Sequence, residues 1–398
     1  MNQTEARESA VVPAIGTTGS LGVVRSLGRS GVDVIAVSEQ ETPPSFSSKY
    51  CDEHWPVPAP ADDLEGYGDA LLGLARRDDV GAVVPVREPD IHVLSKNRSA
   101  FAEHVGTPWP TFDRLTAVHD RHELFEAAAR ADVSVPETAP LDEIDDWDRE
   151  RIVKGRYAIL TSDSVDMPAS ECGEPPKTIF LDPGVEPDVD SIVDAMGHVP
   201  IAQEYVAGTE FCFRGLYEDG EPVVTSHKKL IRGYKYSRGP SIYHEAVDIP
   251  RLEEAGRRLL DELDWQGIAS VGFIRDESGA FNLLEINPRF PSSLPMDIHA
   301  GIDYPRYYWQ LSNGERIEET TEYRPGTSSH LLRGEGVHMH SVLREEYALA
   351  ARPSAPGTAW NIITSLVQHP NFDCFSLDDP APFVRDALNA GRSLFSGN

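Results

Sequence analysis

The sequence predicts a mixed α/β and α+β protein that consists of a parallel α/β domain, a larger α+β region and a C-terminal extension. Strand, glycine turn and helix alternate over residues 10–112, as in parallel strands joined by right-handed crossovers. Over residues 113–318, short turns such as Asp219-Gly220 join successive strands directly, which indicates antiparallel hairpins. Residues 319–398 show no pattern that we connect with chemistry.

Hydrophobic periodicity predicts the elements of the N-terminal domain. Strands are expected over residues 10–15, 32–37 and 81–86, with a glycine turn over 16–22, a helix that ends at Arg29 and a second helix over 64–77. The third strand ends in three charged residues, Arg87, Glu88 and Asp90. The domain therefore reads as a succession of strand and helix units.

The α+β region is predicted from the same signals. Residues 111–136 contain one amphipathic helix, and residues 162–187, rich in Pro, Asp, Gly and Ser, are expected to form a mobile loop. The remaining predicted strands are 151–155, 200–208, 210–217, 222–232, 268–274 and 281–290, and the helices are 190–196, 252–263 and 304–309.

The extension is predicted to add strands within residues 358–375 and a terminal helix over residues 379–393. His338 and His340 fit a polar surface strand better than a metal pair, because no third ligand stands at a suitable spacing.

The acidic composition excludes nucleic acid as a partner and indicates the kind of host. The formal net charge of −29 and a pI near 4.7 do not provide the clustered basic surface that nucleic-acid binding needs. Lysine accounts for 7 of the 36 basic residues. An acidic, lysine-poor chain predicts a halophilic archaeal host, because concentrated salt screens the self-repulsion of the surface.

The four cysteines form no CxxC pair, so we expect reduced thiols and neither a disulfide framework nor a zinc site. No apolar run approaches the ~18 residues that a membrane helix needs. The sequence therefore predicts a soluble cytoplasmic chain without a membrane partner.

The most informative stretch is the predicted strand 281–290. Because side chains alternate along a strand, Glu285, Asn287 and Arg289 are expected on one face, with Leu284 and Ile286 on the other. A carboxylate and an amide oxygen are hard ligands that suit Mg2+, and a neighbouring guanidinium suits the phosphate that such an ion would carry.

The glycine turn permits a different hypothesis. Gly16, Gly19 and Gly22, with Glu39 at the end of the second strand, could form the dinucleotide site of a reductase or epimerase. Such enzymes need a Tyr and a Lys four residues apart, and no lysine here has a tyrosine four positions before it. A tight turn that starts a structural helix explains the glycines equally well.

Three motifs together resemble the ATP-grasp superfamily of carboxylate-amine ligases, which includes the large subunit of carbamoyl phosphate synthase. They are Lys154, the stretch from Gln203 to Glu210, and Leu284-Glu-Ile-Asn-Pro-Arg289. The resemblance covers residues 11 to 314. It implies a Rossmann-like pre-ATP-grasp domain over 10–112, a two-subdomain ATP-grasp domain over 113–318 with its lid-bearing small subdomain near 150–202, and an extension over 319–398.

The resemblance also implies roles for individual residues. Lys154 and Arg121 would contact nucleotide phosphates, and Arg289 would face the transferred phosphoryl group. Independently of the resemblance, Lys228 and Arg232 lie on or just beyond a predicted strand of the same region and would extend this positive site toward the substrate. The other implied contacts are adenine at Gln203, Glu204 and Val206, ribose at Glu210, and Mg2+ or Mn2+ at Glu285 and Asn287.

The function that follows is an ATP-dependent ligase. It would convert a small carboxylate to an acyl phosphate, join it to an amine, and release ADP and phosphate; the resemblance also allows a homodimer. Two departures favour an alternative, a nucleotide-binding protein with little ligase activity: Gly272 stands where relatives carry a second metal-binding acid, and the glycine-rich phosphate lid is absent. Asp276 at the following turn reads as a turn residue.

Overall fold

The computed structural model describes residues 8–181, 183–237, 239–317, 322–347 and 350–396, with the side chains of 393–396 left out. The predicted domain boundary at residues 318 and 319 lies outside these ranges. Within them, a parallel sheet is followed by two antiparallel sheets and a helical C-terminal region.

The N-terminal sheet is parallel, as predicted, with strand order β3-β2-β1-β4. Its central strands are buried on both faces, which explains their nearly continuous apolar sequence. The edge strand β3 is exposed throughout, so its short polar sequence gave no signal. The elements are β1 (Ser9–Pro13), α1 (Thr18–Arg29), β2 (Asp33–Ser38), β3 (Glu53–Pro56), α2 (Leu64–Ala75), β4 (Val80–Val83), α3 (Glu88–Lys96) and α4 (Arg98–Ala102).

The single helix predicted within residues 111–136 is instead two helices, α5 (Phe112–His119) and α6 (Arg121–Arg130). The chain breaks at Asp120, whose backbone is extended and whose carboxylate accepts the N–H of His122. An aspartate at this position satisfies an orphan donor of the second helix, so a new helix starts there.

The small antiparallel sheet has the order β5-β10-β6-β9, and β7 and β8 form a separate two-stranded ribbon. Its apolar face packs on α7 around Leu141, Val153 and Met196. The elements are β5 (Thr138–Pro140), β6 (Arg151–Lys154), β7 (Leu160–Thr161), β8 (Cys172–Gly173), β9 (Ile179–Leu181), α7 (Val189–Met196) and β10 (Ile201–Glu204).

The segment expected to be a mobile loop is anchored to the N-terminal domain. The Leu64 N–H donates to the carbonyl oxygen of Ser170 over 2.7 Å, and the Cys172 thiol donates to that of Pro60 over 3.0 Å. Lys96 Nζ lies 2.5 Å from a carboxylate oxygen of Asp163. Composition alone predicted a mobile loop, because the residues that anchor the segment are distant in sequence.

The large antiparallel sheet has the order β15-β14-β11-β12-β13-β16. One face packs on α6 and α8 through Phe213, Val271 and Leu259. The elements are β11 (Thr209–Glu218), β12 (Glu221–Gly233), β13 (Ser241–Val247), α8 (Pro250–Glu262), β14 (Gly267–Arg275), β15 (Phe281–Asn287), α9 (Leu294–His299), α10 (Tyr304–Ser312) and β16 (Ser328–His330).

The C-terminal region corrects two predictions. His338 and His340 lie on a helix, α11 (Leu332–Arg344), and the strands expected within 358–375 are largely a helix, α12 (Ala355–Gln368). The β-branched residues of Asn361-Ile-Ile-Thr-Ser-Leu-Val367 favoured strands by propensity, and tertiary context overrides that preference. The predicted terminal helix is present as α13 (Ala381–Ser396).

The extension is fixed to the N-terminal domain and to the large sheet. Arg25 of α1 is buried and donates from Nε to Asp379 Oδ2 over 2.9 Å. Strand β16 pairs with β13, and the His330 ring stacks on Tyr243 with centroids 4.0 Å apart. Among the described helices, none is both long and apolar enough to cross a membrane.

Candidate active site

A cleft of about 670 Å³ lies where the N-terminal domain meets the end of β15. The 156–178 segment forms a third wall, through Ile159, Cys172 and Glu174. Glu285, Asn287 and Arg289 all line this cleft, as do Arg87 and Glu88 from the connection after β4. The cleft therefore brings the most informative motif of the sequence against charged residues of another domain.

Glu285, Asn287 and Arg289 form a hydrogen-bonded chain. Asn287 Nδ2 donates to Glu285 Oε1 over 3.0 Å, and Arg289 Nη2 donates to Asn287 Oδ1 over 3.1 Å. The opposite face differs from the prediction, because Leu283 and Ile286 are buried in the core. A bulge at Leu284 of β15, opposite Gly272 and Phe273 of β14, shifts the register there and leaves Leu284 half-buried.

Sequence reasoning gave no role to Glu88 and His119, which extend this chain. Arg289 Nε donates to Glu88 Oε1 over 3.1 Å, and His119 Nε2 lies 3.0 Å from Glu88 Oε2. Burial raises the pKa of Glu88, but the hydrogen bond from His119 and the charge of Arg289 outweigh burial and hold that pKa below its usual range. Glu88 is thus an anion that orients Arg289. Its position just after a parallel strand was the available signal.

Arg121 reaches the same end of the cleft from α6. Its Nη1 donates to the carbonyl oxygens of Gly155 and Tyr157 over 2.5 and 3.2 Å, and its Nη2 lies 4.0 Å from Glu285 Oε2. Burial lowers the pKa of Arg121, while the charge of Glu285 opposes this shift. The structure therefore brings Arg121 and Glu285 together.

The residues predicted to contact adenine lie in the small sheet and its exit. Gln203 of β10 is fully buried and donates from Nε2 to Thr138 Oγ1 over 3.0 Å, and its strand pairs with β5 on one side and β6 on the other. Lys154 of β6 pairs in register with Ile201 of β10. Glu204 and Val206 follow, and Glu210 lies on β11.

Lys228 belongs to a row of residues that crosses four strands of the large sheet. The register places Glu285 opposite Gly272, Gly272 opposite Cys212, and Cys212 opposite Lys228. Lys228 is 8% exposed, and its Nζ lies 3.4 Å from Ser293 Oγ. Within the described part of the chain, no carboxylate forms an ion pair with it. A buried ammonium without a counter-ion suits an anionic ligand.

Arg232 does not lie with Arg289, contrary to expectation. It lines a different cavity, where Nη1 donates to both carboxylate oxygens of Glu335 over 2.7 Å and the guanidinium lies 5.2 Å from the Tyr243 ring centroid. Register shifts beyond Leu230 of β12 turn this end of the strand toward the C-terminal helices. The guanidinium therefore fastens α11 to the sheet.

The glycine turn has a packing role. A Cβ on Gly19 would lie 2.5 Å from the carbonyl oxygen of Pro291, so the start of α1 can approach the segment after β15 only with glycine there. Glu39, the acid required by the dinucleotide hypothesis, is held by Arg87 over 2.8 and 3.1 Å. Both observations favour a structural turn over a reductase site.

Asp276 is a turn residue, as expected. Its carboxylate accepts from Ser278 Oγ over 2.6 Å, from the Ala280 N–H over 3.0 Å and from Asn282 Nδ2 over 2.9 Å. These bonds close the hairpin between β14 and β15 and leave Glu285 as the carboxylate of the motif.

With this geometry defined, comparison with known proteins identifies the fold. Residues 201–333 match a family described as ATP-grasp in the biosynthetic pathway with Ter operon. No curated protein matches the sequence. The biotin carboxylase domain of 2-oxoglutarate carboxylase from Hydrogenobacter thermophilus, crystallised with MgADP, ADP and bicarbonate, is similar in structure, with a TM-score of 0.61 at 16% identity over 81% of this chain and 73% of that one.

Two further solved structures share this architecture. N5-carboxyaminoimidazole synthetase from Staphylococcus aureus has a TM-score of 0.58 at 14% identity over 81% of this chain and 82% of its own. L-amino acid ligase from Bacillus licheniformis has a TM-score of 0.61 at 15% identity over 82% and 79%. The chain therefore has the ATP-grasp fold, and its residues 201–333 are similar to the matched ATP-grasp family.

Proposed function

We propose that this protein is an ATP- and Mg2+-dependent ligase. It activates a small carboxylate as an acyl phosphate and joins it to an amine, with release of ADP and phosphate. The observation that carries this proposal is the chain from Glu285 through Asn287 to Arg289, which opens into a cleft shared with the N-terminal domain. Structural similarity to ligases and carboxylases of this fold supports the reaction class.

The residues at the end of β15 fit a magnesium ion. Glu285 is half exposed, and the Asn287 amide lies next to it, with Nδ2 toward Glu285 and Oδ1 toward Arg289, so a carboxylate and an amide oxygen, both hard ligands, stand at the end of the strand. Among the described residues, no three His, Cys, Asp or Glu side chains form a metal cage. Mg2+ is commonly bound in this way, by one or two protein ligands together with substrate phosphates and water. Mg2+ would neutralise the phosphate oxygens during transfer.

The nucleotide would extend from this end of the cleft toward the small sheet. In this proposal Lys154 and Arg121 contact its phosphates, the backbone of Gln203, with Glu204 and Val206, holds adenine, and Glu210 binds the ribose.

The chain's own residues would act mainly by positioning. A carboxylate and a phosphoryl group repel one another, so cations must hold them in line. Arg289 is fixed by Glu88 and Asn287 and aims its guanidinium into the cleft. The buried ammonium of Lys228 would hold an anionic group of the substrate.

A second candidate is a nucleotide-binding protein with little ligase activity. Gly272 favours it, because this residue stands opposite Glu285 and contributes no second carboxylate. The two functions differ in product: both bind MgATP, but only a ligase forms ADP in the presence of a carboxylate.

The direct test uses hydroxylamine as the nucleophile. It traps any acyl phosphate as a hydroxamate, so a set of carboxylates can be tried with MgATP before the natural amine is known. We expect ADP and hydroxamate in equal amounts with the wild type, and loss of both in Glu285→Gln. Asp276→Asn, on the same hairpin, is the control and should keep the activity. Bound nucleotide without hydroxamate from any carboxylate supports the second candidate, and full activity in Glu285→Gln contradicts the metal assignment.

A further inference from the structure

A second cavity, of about 610 Å³, lies over β11 and β12 of the large sheet and shares no lining residue with the cleft. Its floor is the start of β11, including Glu210, and the end of β12 at Leu230 and Arg232. Its far wall is the C-terminal helix α12, through Thr358 and Asn361. Nothing in the assignments above gives this helix a function.

The amphipathicity of α12 is inverted. Thr358, Asn361 and Ser365 share the face that lines the cavity; Thr358 and Ser365 are 7% and 8% exposed, whereas Asn361 is exposed. Trp360, Ile363 and Val367 share the opposite face and are 69%, 57% and 75% exposed. A helix that packed only for stability would bury the second set. The polar face toward the cavity therefore indicates a polar occupant.

The arginine and the lysine of the cavity are already paired with carboxylates of the protein. Arg232 is paired with Glu335, and Lys235 Nζ lies 3.0 Å from Glu345 Oε2. The groups that α12 contributes are neutral hydroxyls and amides, which donate and accept hydrogen bonds. Such a lining suits a neutral hydroxylated group, whereas a polyphosphate would require unpaired cations.

The strand register places the cavity within reach of the proposed metal site. Glu210 and Cys212 lie two residues apart on β11 and so share one sheet face, and Cys212 is in the row that ends at Glu285. Strand spacings put the Cα atoms of Glu210 and Glu285 roughly 12 Å apart. A nucleotide can thus place its ribose in the cavity and its phosphates at Glu285.

We propose that helix α12 completes the nucleoside half of the nucleotide site, with Thr358 and Asn361 as hydrogen-bond partners of the ribose. This inference rests on the proposed function and adds the C-terminal extension to the binding machinery. It explains why the polar face of α12 points inward: this face contacts the side of the ribose that the sheet does not cover. The clamp between Arg232 and Glu335 then holds α11 against the sheet beside this site.

The test compares two probes on the full chain. Isothermal titration measures the affinity for MgADP and for magnesium tripolyphosphate, which has phosphates but no nucleoside. Thr358→Val keeps the side-chain shape and removes the hydroxyl, and Asn361→Ala removes the amide. Each should weaken MgADP about five- to tenfold, as expected for one lost hydrogen bond, and leave tripolyphosphate unchanged. Ile363→Ala, on the outer face of the same helix, is the matched control and should change neither affinity.

The outcomes separate the inference from the function on which it rests. MgADP binding that is equally tight in wild type, Thr358→Val and Asn361→Ala overturns the role of α12 and leaves the ligase proposal standing. Equal weakening of MgADP and tripolyphosphate also overturns it, because the helix would then act on the phosphates or on the fold. A wild type that does not bind MgADP overturns both proposals.

Discussion

Replacing Gly272 with glutamate should create the second metal ligand that this chain lacks. Gly272 lies directly opposite Glu285 across the strand pair, and a Cβ built on it would be 3.5 Å from Glu285 Cγ, an ordinary van der Waals contact. The new side chain therefore fits without displacing the backbone. Two carboxylates would then stand side by side at the cleft, at the end where Asn287 and Arg121 also lie.

The size of the effect follows from elementary electrostatics. A unit charge about 4 Å from a divalent ion gains about 2 kcal/mol even in water, which corresponds to roughly thirtyfold in affinity. Without metal, two carboxylates directly opposite one another repel, which costs about 1 kcal/mol of stability. Gly272→Glu should therefore be slightly less stable than the wild type without Mg2+ and more stable at saturating Mg2+ with ADP.

The assay is a titration of Mn2+ by electron paramagnetic resonance in the presence of ADP, which counts bound ions and measures their affinity. Gly272→Gln has the same size but no charge, so it should bind metal no more tightly than the wild type. Tightening in the glutamine variant would show that side-chain bulk, and not charge, is responsible. A folded Gly272→Glu whose metal affinity equals that of the wild type would refute the placement of the ion at Glu285.

Three further predictions concern stability. Burial raises the pKa of Glu253, but the bonds to His227 and Arg257 outweigh burial and hold that pKa at about 2. The ionised carboxylate therefore stabilises the folded state at pH values above the unfolded pKa of about 4.3, and this stabilisation is lost as the pH falls toward 2. In urea unfolding, the wild type should lose about 2 kcal/mol more than Glu253→Gln between about pH 5 and pH 3, and parallel curves would contradict this. Glu335→Gln leaves the largely buried Arg232 without its counter-ion and should lower the free energy of unfolding by about 3–5 kcal/mol. A decrease of less than about 1 kcal/mol would show that this ion pair does not hold α11 to the sheet. The net charge of −29 predicts that the thermal midpoint rises in molar KCl through screening, and a midpoint independent of salt would contradict a halophilic origin.

The parts of the fold that local sequence predicted well are those with local causes. The apolar runs of β1 and β2 and the glycine turn before α1 report a buried parallel sheet directly. The close link between Glu285, Asn287 and Arg289 follows from spacing along one strand. These signals lie within a few residues of the feature that they predict, so no knowledge of tertiary contacts was needed.

The parts that sequence reasoning missed depend on long-range contacts. Glu88 and Arg289 are 201 residues apart, and nothing near either residue reports that they meet. The same holds for residues 163–172 of the segment predicted to be a mobile loop, whose anchoring partners lie on α3, on α2 and just before α2. Arg232 was assigned to the substrate because it is a cation on the right strand, and only the structure shows its pairing with Glu335.

Helix α12 was mispredicted for a reason that bears on function. Periodicity identifies a helix by its apolar face, on the assumption that this face is buried. Here Ile363 and Val367 are on the solvent side, while Thr358 and Ser365 are inside. The β-branched residues of the segment favoured strands, and only tertiary contacts show which face of the helix is buried. Places where local rules fail in this way are frequently functional sites.

The charge balance of the cleft explains why a metal ion would be needed. Its lining includes three guanidinium groups and four carboxylates, namely Arg87, Arg121, Arg289, Glu39, Glu88, Glu174 and Glu285. Two of the arginines are already engaged, Arg87 with Glu39 and Arg289 with Glu88. A polyphosphate that entered this cleft alone would meet more negative than positive charge. A divalent ion at Glu285 would make the charge positive at the point where the phosphates would lie. Arg121 is close enough to Glu285 to add its own positive charge there.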